Sequence, residues 1–390
     1  MLNCALVAHL DHQDKRAVRE GMCLLASLAH QHQFPVSWSV LSTDARSYSK
    51  DLNQYQAEFG DEVMLALDTV GLENVDLTQA DQIVSLRHKL PPQITAQKER
   101  LRKALEGTPA TVASVKGIKN HVLVEALEAT EFSGLYGYDL KANDAGCPFG
   151  FFYPAEDRHN FANQPSRSVV GIPANVDLVE RVLAETAEEL LGLHLVNLDF
   201  NQHSHLIFSV DVIRLANLVN SRLDLLADFL EILPQMEQVV CHPLGGLVDA
   251  YRASASVTTP TYFLEQPSLD ESSFRCYDNA CQLVFQWNRI EPVEIYNYIS
   301  PPIGSYDGSE TTIPQILDFK SSRSRSELRM TIEIESGKAM PYGCAVWGDH
   351  VGLGLVETNA LSIKWIADQL LLVRTDLEYG QNTLDIRLTI

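Results

Sequence analysis

Residues 4–41 have the sequence CALVAHLDHQDKRAVREGMCLLASLAHQHQFPVSWSVL, and this stretch decides the fold. The apolar run at residues 4–10 predicts a buried strand. Apolar residues then recur at helical spacing over residues 16–33, and residues 35–41 predict a second strand. A strand, a helix and a strand in succession are typical of a parallel sheet, because parallel neighbours need a crossover connection.

The alternation continues to about residue 260. Two helices stand out, at residues 177–191 and, as the clearest amphipathic segment, at residues 213–233. Further strands are predicted at residues 62–67, 110–115, 134–138, 193–200 and 238–242. About seven strands alternating with helices favour a barrel over an open sheet. We therefore predict an α/β fold with a (β/α)7-type barrel over residues 1–260.

The pattern changes in residues 273–390. Residues 328–334 and 384–390 alternate strictly between apolar and polar, as half-buried antiparallel strands do. Turn clusters rich in Gly, Pro, Asp and Ser separate such runs, and one helix is predicted at residues 360–369. These features predict an all-β, sandwich-like accessory domain.

Charge and composition exclude several classes of partner. Thirty basic and 51 acidic residues give a net charge of −21, which disfavours nucleic acid and anionic membrane surfaces. No stretch approaches the roughly 18–20 apolar residues of a membrane span, and no signal peptide is recognised. The seven cysteines include no C-x-x-C pair, so we expect reduced thiols and a cytoplasmic protein. A homo-oligomer remains compatible with the sequence.

Polar residues end two of the predicted strands, where ligands gather in parallel α/β folds. The first strand ends in His9, Asp11 and His12, and the third ends in Asp68. An aspartate beside an imidazole can act as a base or bind a divalent metal. The alternatives are a carboxylate that caps the next helix, with histidines in solvent, and a turn that begins at Asp68.

A second polar cluster contains Asp199, His203 and His205. The H-x-H spacing puts both imidazoles on one side of an extended segment, an arrangement that zinc and other transition metals use. His242 follows the last predicted strand and is a candidate acid, base or sugar contact. A satisfied structural histidine is the alternative at that position.

A long irregular connection carries aromatic and acidic residues. Tyr136, Tyr138, Asp139 and Tyr153 are candidate sugar contacts, because rings stack on the apolar faces of sugars while carboxylates bind hydroxyl groups. The same aromatic residues could instead hold the connection against the barrel.

These residues, in this order, resemble the polysaccharide deacetylase-like superfamily, whose fold is a (β/α)7 barrel. The resemblance covers about residues 1–260 and adds Trp38 to the candidate substrate contacts. Its motifs are Leu10-Asp11-His12, Pro35-Val-Ser-Trp38, Gly60-Asp-Glu-Val63, Gly150-Phe-Phe-Tyr-Pro154, Gly171-Ile-Pro173 and Cys241-His242-Pro243.

The resemblance implies a metal-dependent site, from which this sequence departs. In active deacetylases two adjacent aspartates end the first strand, one a base and one a metal ligand. Here those positions are Asp11 and His12. The two histidines expected at the end of the third strand are missing beside Asp68, whereas His242 matches a late histidine of the acetyl pocket.

The leading hypothesis is a hydrolase acting on a poly- or oligosaccharide. Asp11 would be the base or nucleophile, with Asp68 or Asp199 as a second carboxylate. Alternatively, a divalent metal held by His12 with His203 or His205 would activate water. A non-catalytic sugar-binding barrel and an assembly protein with a β-domain interface are the other hypotheses, so the sequence leaves enzyme activity open.

Overall fold

The structure is a computed structural model that divides the chain into two compact units. The first unit ends at Thr259, and the second contains residues 260–390 together with residues 199–202. The residues described are 1–10, 12–68, 79–115, 121–138, 150–154, 168–173, 176–181, 191–192, 194–195, 197–259, 261–265, 273–278, 281–290, 293–299, 315–348, 354–367 and 370–389.

The first unit alternates strands and helices, as predicted. Its strands are β1 (Leu2–His9), β2 (Val36–Leu41), β3 (Glu62–Ala66), β4 (Val112–Ser114), β5 (Gly134–Tyr138), β6 (Val170–Pro173), β7 (Val176–Asp177), β8 (Ser204–Asp211) and β9 (Val239–Cys241). Its helices are α1 (Lys15–Gln31), α2 (Ala45–Phe59), α3 (Ala80–Ala104), α4 (His121–Ala129), α5 (Leu178–Arg181), α6 (Val212–Ala216), α7 (Asn220–Ile232) and α8 (Leu244–Ser254). Over the part of the chain described, no helix is long and apolar enough to cross a membrane.

All nine strands belong to one parallel sheet in the order β6-β5-β4-β3-β2-β1-β8-β7, with β9 also paired to β1. A flat sheet would separate β1 from β5 by about 19 Å, at about 4.8 Å per strand. Yet the rings of His9 in β1 and Tyr136 in β5 lie 5.8 Å apart, centroid to centroid. The sheet is therefore curved into a half-barrel, which confirms the predicted fold class.

Helix α8 packs against the amino-terminal half of the concave face. Its residues Leu244, Leu247, Val248 and Tyr251 share one buried cluster with Ala5, Val7, Met64, Val112 and Ile207. The carboxylate of Glu62 accepts hydrogen bonds from the N–H of Gly245 at 2.8 and 3.0 Å, so β3 holds the first turn of the helix. Ser37 Oγ accepts from Leu244 N–H in the same turn.

Two predicted elements of the first unit are wrong. Residues 193–200 do not form a strand: the described residues there are helical or in a turn, and the strand is β8, which begins at Ser204. The helix predicted at residues 213–233 is two helices, α6 and α7. Asp211 starts α6 by accepting hydrogen bonds from the N–H groups of Ile213 and Arg214.

The second unit is built from antiparallel strands, which confirms an all-β region. They are β10 (Thr261–Glu265), β11 (Ser273–Asp278), β12 (Cys281–Ile290), β13 (Val293–Ile299), β14 (Gln315–Arg323), β15 (Glu327–Ser336), β16 (Met340–Gly348), β17 (Gly354–Thr358), β18 (Ser362–Ala367), β19 (Leu370–Leu377) and β20 (Gly380–Thr389). One sheet has the order β10-β11-β12-β13-β16-β19-β18 and the other has the order β14-β15-β20-β17. The helix predicted at residues 360–369 is wrong, because residues 362–367 pair with β19 as strand β18.

The seven-stranded sheet also curves. Its first strand is β10 and its last is β18, yet Lys364 Nζ in β18 donates to the hydroxyl of Tyr262 in β10 at 2.8 Å. In the four-stranded sheet, alternate residues of β15 and β20 are buried and the residues between them are polar. Among the polar residues, Arg387 pairs with Glu327 at 2.7 Å.

Candidate functional site

The concave face of the half-barrel changes from apolar to polar along the strands. On the inward-facing side of β1, Ala5 and Val7 belong to the core that α8 covers, and His9 follows two residues later. Likewise Met64 and Val112 lie in that core, whereas Ser114 ends β4. The amino-terminal half of the concave face is therefore filled by this core, and His9 and Ser114 follow it at the carboxyl ends of their strands.

Three neighbouring strands carry polar residues in register at this level. His9 is paired with Asp211 of β8 on one side and with Ser39 of β2 on the other. The hydroxyl of Ser39 forms a hydrogen bond with the hydroxyl of Ser114 across the concave face. We refer to His9, Ser39, Ser114, Tyr136 and Asp211 as the carboxyl-edge cluster.

The members of this cluster differ in exposure. Ser39, Ser114 and Tyr136 are buried, whereas His9 and Asp211 are partly exposed. The His9 and Tyr136 rings stack with an interplanar angle of 25°. Tyr136, predicted as a substrate contact, therefore lies beneath His9 and supports it. The imidazole of His9 is the group of this stack that a ligand can reach.

Two predicted site residues lie on the rim at the carboxyl ends. His12 is exposed. Its Nδ1 accepts a hydrogen bond from Asp14 N–H at 3.1 Å, so Nε2 is the ring nitrogen that this hydrogen bond does not engage. Asp68 is also exposed, and its own N–H donates to Gln97 Oε1 in α3 at 3.1 Å. Asp68 lies just after β3, and helix α3 therefore holds its backbone in place.

Four predicted residues fall wholly or partly outside the described part of the chain. Asp11 and Asp139 are not described. Tyr138 is described only as the backbone end of β5, where it pairs with Pro173. Asp199 is described only as backbone in the 3-10 helix Leu198–Phe200.

The H-x-H pair lies at the opposite end of the sheet from His12. Because β8 begins at Ser204, His205 pairs with Asn3 at the amino end of β1. His9 is six residues further along β1, about 20 Å away at about 3.3 Å per residue. The structure therefore does not bring His12 together with His203 or His205, the residues predicted to hold a metal.

His205 is enclosed by aromatic rings. It stacks on Phe151 with centroids 3.9 Å apart and planes 3° apart, and Tyr251 meets it edge-on at 6.0 Å. Its Nδ1 is buried without a hydrogen-bond partner among the described residues. Burial, with a smaller contribution from His203, lowers the pKa of His205 to about 3. The ring is therefore neutral near pH 7.

Acidification is expected to destabilise the protein through His205. Its folded-state pKa of about 3 lies below its ordinary value of 6.5. Below pH 6.5 the unfolded chain binds a proton that the folded chain does not, so the contribution present above pH 6.5 is lost as the pH falls towards 3. Between pH 7 and 5 the expected loss is about 2 kcal/mol.

Urea unfolding at both pH values checks this expectation. His205→Phe keeps the stack on Phe151 and removes the titration, so it should lose about 2 kcal/mol less than the wild type on acidification. His88→Phe, at an exposed position in α3, is the matched control and should behave like the wild type. An equal loss in His205→Phe and the wild type would contradict the assignment.

His242 also lies away from the carboxyl-edge cluster. Its N–H donates to Cys4 O at 2.9 Å, because β9 pairs only with residues 2–4 of β1. Cys4 is five residues before His9, about 16 Å along the strand. The structure therefore does not bring His242 together with the strand end that precedes Asp11.

Trp38 and Tyr153 are core residues. Trp38 is 0% exposed and faces outward from β2, and its Nε1–H donates to Asp61 at 2.6 Å. Tyr153 is buried, and its hydroxyl donates to Ala255 O at 2.8 Å. Neither ring presents a surface on which a sugar could stack, so these two predicted contacts do not agree with the structure.

The residues that the structure describes do not fit the metal centre that the resemblance implies. Of the predicted ligands, His12 lies at the carboxyl end while His203 and His205 lie at the amino end. Within the described ranges, no group of three or more His, Cys, Asp or Glu side chains could hold a metal ion.

The sequence-based prediction missed most of the carboxyl-edge cluster. His9 was recognised only as a neighbour of Asp11, and Ser39, Ser114 and Asp211 were not singled out. A signal existed for Asp211, which immediately precedes a helical pattern and acts as an N-cap. Ser39 and Ser114 have no such signal in the sequence, because only strand pairing brings them into the cluster.

Comparisons with known proteins find similarity only among solved structures. No family model matches the chain, and no curated protein matches it. The 4-alpha-glucanotransferase from Thermococcus litoralis is 8% identical, with a TM-score of 0.44, over 100% of this chain and 99% of that chain. Puue allantoinase is 12% identical over 66% of this chain and 92% of that chain, also with a TM-score of 0.44. A probable polysaccharide deacetylase from Pseudomonas aeruginosa is 10% identical over 65% and 92%, again with a TM-score of 0.44.

Proposed function

We propose that this protein is a hydrolase of uncharged poly- or oligosaccharides, with its active site at the carboxyl ends of the parallel strands. The observation that carries the proposal is the carboxyl-edge cluster. A partly exposed imidazole lies on an aromatic ring above buried hydroxyl groups, while the amino end of the same concave face is filled by α8. A few polar groups in a concave, aromatic setting are typical of ligand-binding sites.

The proposed chemistry uses carboxylates and an imidazole. Asp11 acts as base or nucleophile, and Asp68 supplies the second carboxylate. The ionised carboxylate takes a proton from the attacking water, the protonated one gives a proton to the departing sugar oxygen, and His9 returns the proton from the first to the second. β1 and β3 are separated by one strand, so their ends lie about 10 Å apart. Paired carboxylates of inverting glycosidases are about 6.5–9.5 Å apart, a separation that leaves room for the attacking water.

The free thiols of Cys4, Cys23 and Cys241 support a cytoplasmic location.

The test measures the binding and hydrolysis of a panel of neutral oligosaccharides derived from α-glucan, β-glucan and chitin. We expect one class to raise the melting temperature of the wild type and to be hydrolysed. His9→Ala should lower turnover about 10²–10⁴-fold, the usual effect of losing a proton-transfer group. Asp11→Asn and Asp68→Asn should each lower turnover while the fold is retained.

His203→Ala is the matched control, since it removes an imidazole at the opposite end of the sheet. It should leave turnover unchanged, and so should a chelator. Equal losses in His203→Ala and His9→Ala would contradict the placement of the site. Sugar binding without turnover in the wild type would contradict hydrolysis and leave a sugar-binding protein.

A further inference from the structure

Asp211 points to the concave face of the half-barrel. Ile207 of β8 belongs to the buried cluster that α8 covers, and Asp211 follows it by four residues, so both side chains lie on the same side of the strand. Asp211 ends β8, is partly exposed, and pairs in register with His9 of β1. The fold therefore places a carboxylate directly beside the imidazole that we propose transfers the proton.

One carboxylate oxygen of Asp211 is engaged and the other is not. Oδ1 accepts hydrogen bonds from the N–H groups of Ile213 at 2.9 Å and Arg214 at 3.3 Å, which caps α6. The guanidinium of Arg214 pairs with Asp177 instead, at 2.6 Å. Among the residues that the structure describes, Oδ2 of Asp211 has no hydrogen-bond partner. The cap thus holds the carboxylate in one orientation and leaves Oδ2 for a ligand.

The chemistry of Oδ2 limits what it can bind. A carboxylate oxygen accepts hydrogen bonds, so the ligand group must be a donor. The donors of a neutral sugar are its hydroxyl groups. Adjacent strands lie about 4.8 Å apart, so a sugar ring in contact with His9 has its neighbouring positions within reach of Asp211. A few such polar groups fix the orientation of a ligand and provide specificity.

Given the proposed function, on which this assignment rests, we propose that Asp211 is a specificity-determining residue. Its Oδ2 accepts a hydrogen bond from a free hydroxyl group on the sugar unit whose bond is cleaved. The substrates are then oligosaccharides in which this hydroxyl group is unsubstituted. Acetylation, methylation or loss of the hydroxyl group makes a sugar a poor substrate, because the polar group that binds it is left unpaired.

Asparagine separates this role from the helix cap. Asn caps a helix about as well as Asp, so a purely structural Asp211 predicts that Asp211→Asn behaves like the wild type. The binding role predicts that KM rises about 10–100-fold with kcat unchanged, because a hydrogen bond to a charged group is lost. Asp14→Asn is the matched control, since Asp14 caps α1 in the same way and lies outside the strands. Its KM should be unchanged.

Deoxy sugars test the contact itself. Starting from the oligosaccharide that the wild type hydrolyses, analogues that lack one hydroxyl group at a time are prepared for the unit that carries the cleaved bond. At one position the wild type should lose about 10–100-fold in kcat/KM. Asp211→Asn should lose less than about twofold at that position, because the partner of the hydroxyl group is already gone.

The outcomes separate this assignment from the proposed function. An unchanged KM in Asp211→Asn would overturn the assignment and reduce Asp211 to a helix cap, with hydrolysis by the protein left intact. Losses that add at every deoxy position, or an equal rise of KM in Asp14→Asn, would do the same. If the wild type hydrolyses none of the sugars, the proposed function and the role of Asp211 fail together.

Discussion

Replacing Asp61 with alanine is expected to lower the free energy of unfolding by about 3–5 kcal/mol, because each buried donor left without an acceptor costs about 1–3 kcal/mol. The Asp61 carboxylate is buried at the start of β3. It accepts hydrogen bonds from Val36 N–H at 2.9 Å and Trp38 Nε1–H at 2.6 Å, and it lies 3.0 Å from His30 Nε2. Alanine would leave all three groups without this acceptor.

The network joins three elements, which is why one side chain has so large an effect. His30 is in α1, Trp38 is in β2, and Asp61 directly precedes β3. The His30 ring also stacks on Phe59 at the end of α2, with centroids 3.8 Å apart. Buried donors left without acceptors cost about 1–3 kcal/mol each, so the loss is not confined to one contact.

Denaturant unfolding measures the effect. Asp61→Asn keeps one acceptor oxygen and should lose less than Asp61→Ala. Glu99→Ala is the control: it removes a carboxylate paired with Arg102 at 3.0 Å on the surface of α3, where such pairs contribute about 0–1 kcal/mol. A loss below about 1 kcal/mol in Asp61→Ala would show that the network does not stabilise the fold.

Replacing Gly21 with alanine is expected to destabilise the protein by about 1–3 kcal/mol, against the intrinsic preference of a helix. In the interior of a helix, alanine is normally favoured over glycine by about 1 kcal/mol. Here a Cβ on Gly21 in α1 would overlap the carbonyl oxygen of Val212 in α6. Because the obstacle is backbone, relief requires the two helices to move apart.

Gly246→Ala is the matched control, since Gly246 also lies in a helix, α8, and no neighbouring atom lies within 4 Å of an added Cβ. It should stabilise the protein by about 0.5–1 kcal/mol. The two substitutions are chemically identical, so opposite signs in thermal or urea unfolding would isolate the contact between α1 and α6. The same sign for both would contradict that contact.

The main helices and strands could be predicted because the spacing of apolar residues differs between the two. Residues 4–41 contain a strand, a helix and a strand, as β1, α1 and β2 show. Strict alternation likewise predicted β15 and β20. Where the pattern failed, strand pairing overrode it. Residues 360–369 could form an amphipathic helix, but β19 supplies backbone partners to Ser362 and its successors.

Part of the candidate site was predictable for the same reason. The polar ends of the first and third strands, at His12 and Asp68, stand out because each follows an apolar run. The orientation within a strand was not predictable. Trp38 and Ser39 are both 0% exposed, one facing the helices and the other the concave face, so burial alone does not distinguish the two sides.

By itself, the sequence determined the parallel α/β architecture of the first unit, the change to antiparallel strands after it, and the net charge of −21. Only the tertiary structure decided which polar residues meet. The middle of strand β8 is the buried apolar run Leu206–Phe208, so its pattern does not mark where the strand begins. Pairing of Leu2 with Ser204 sets its start, places His205 at the amino end, and brings Asp211 beside His9.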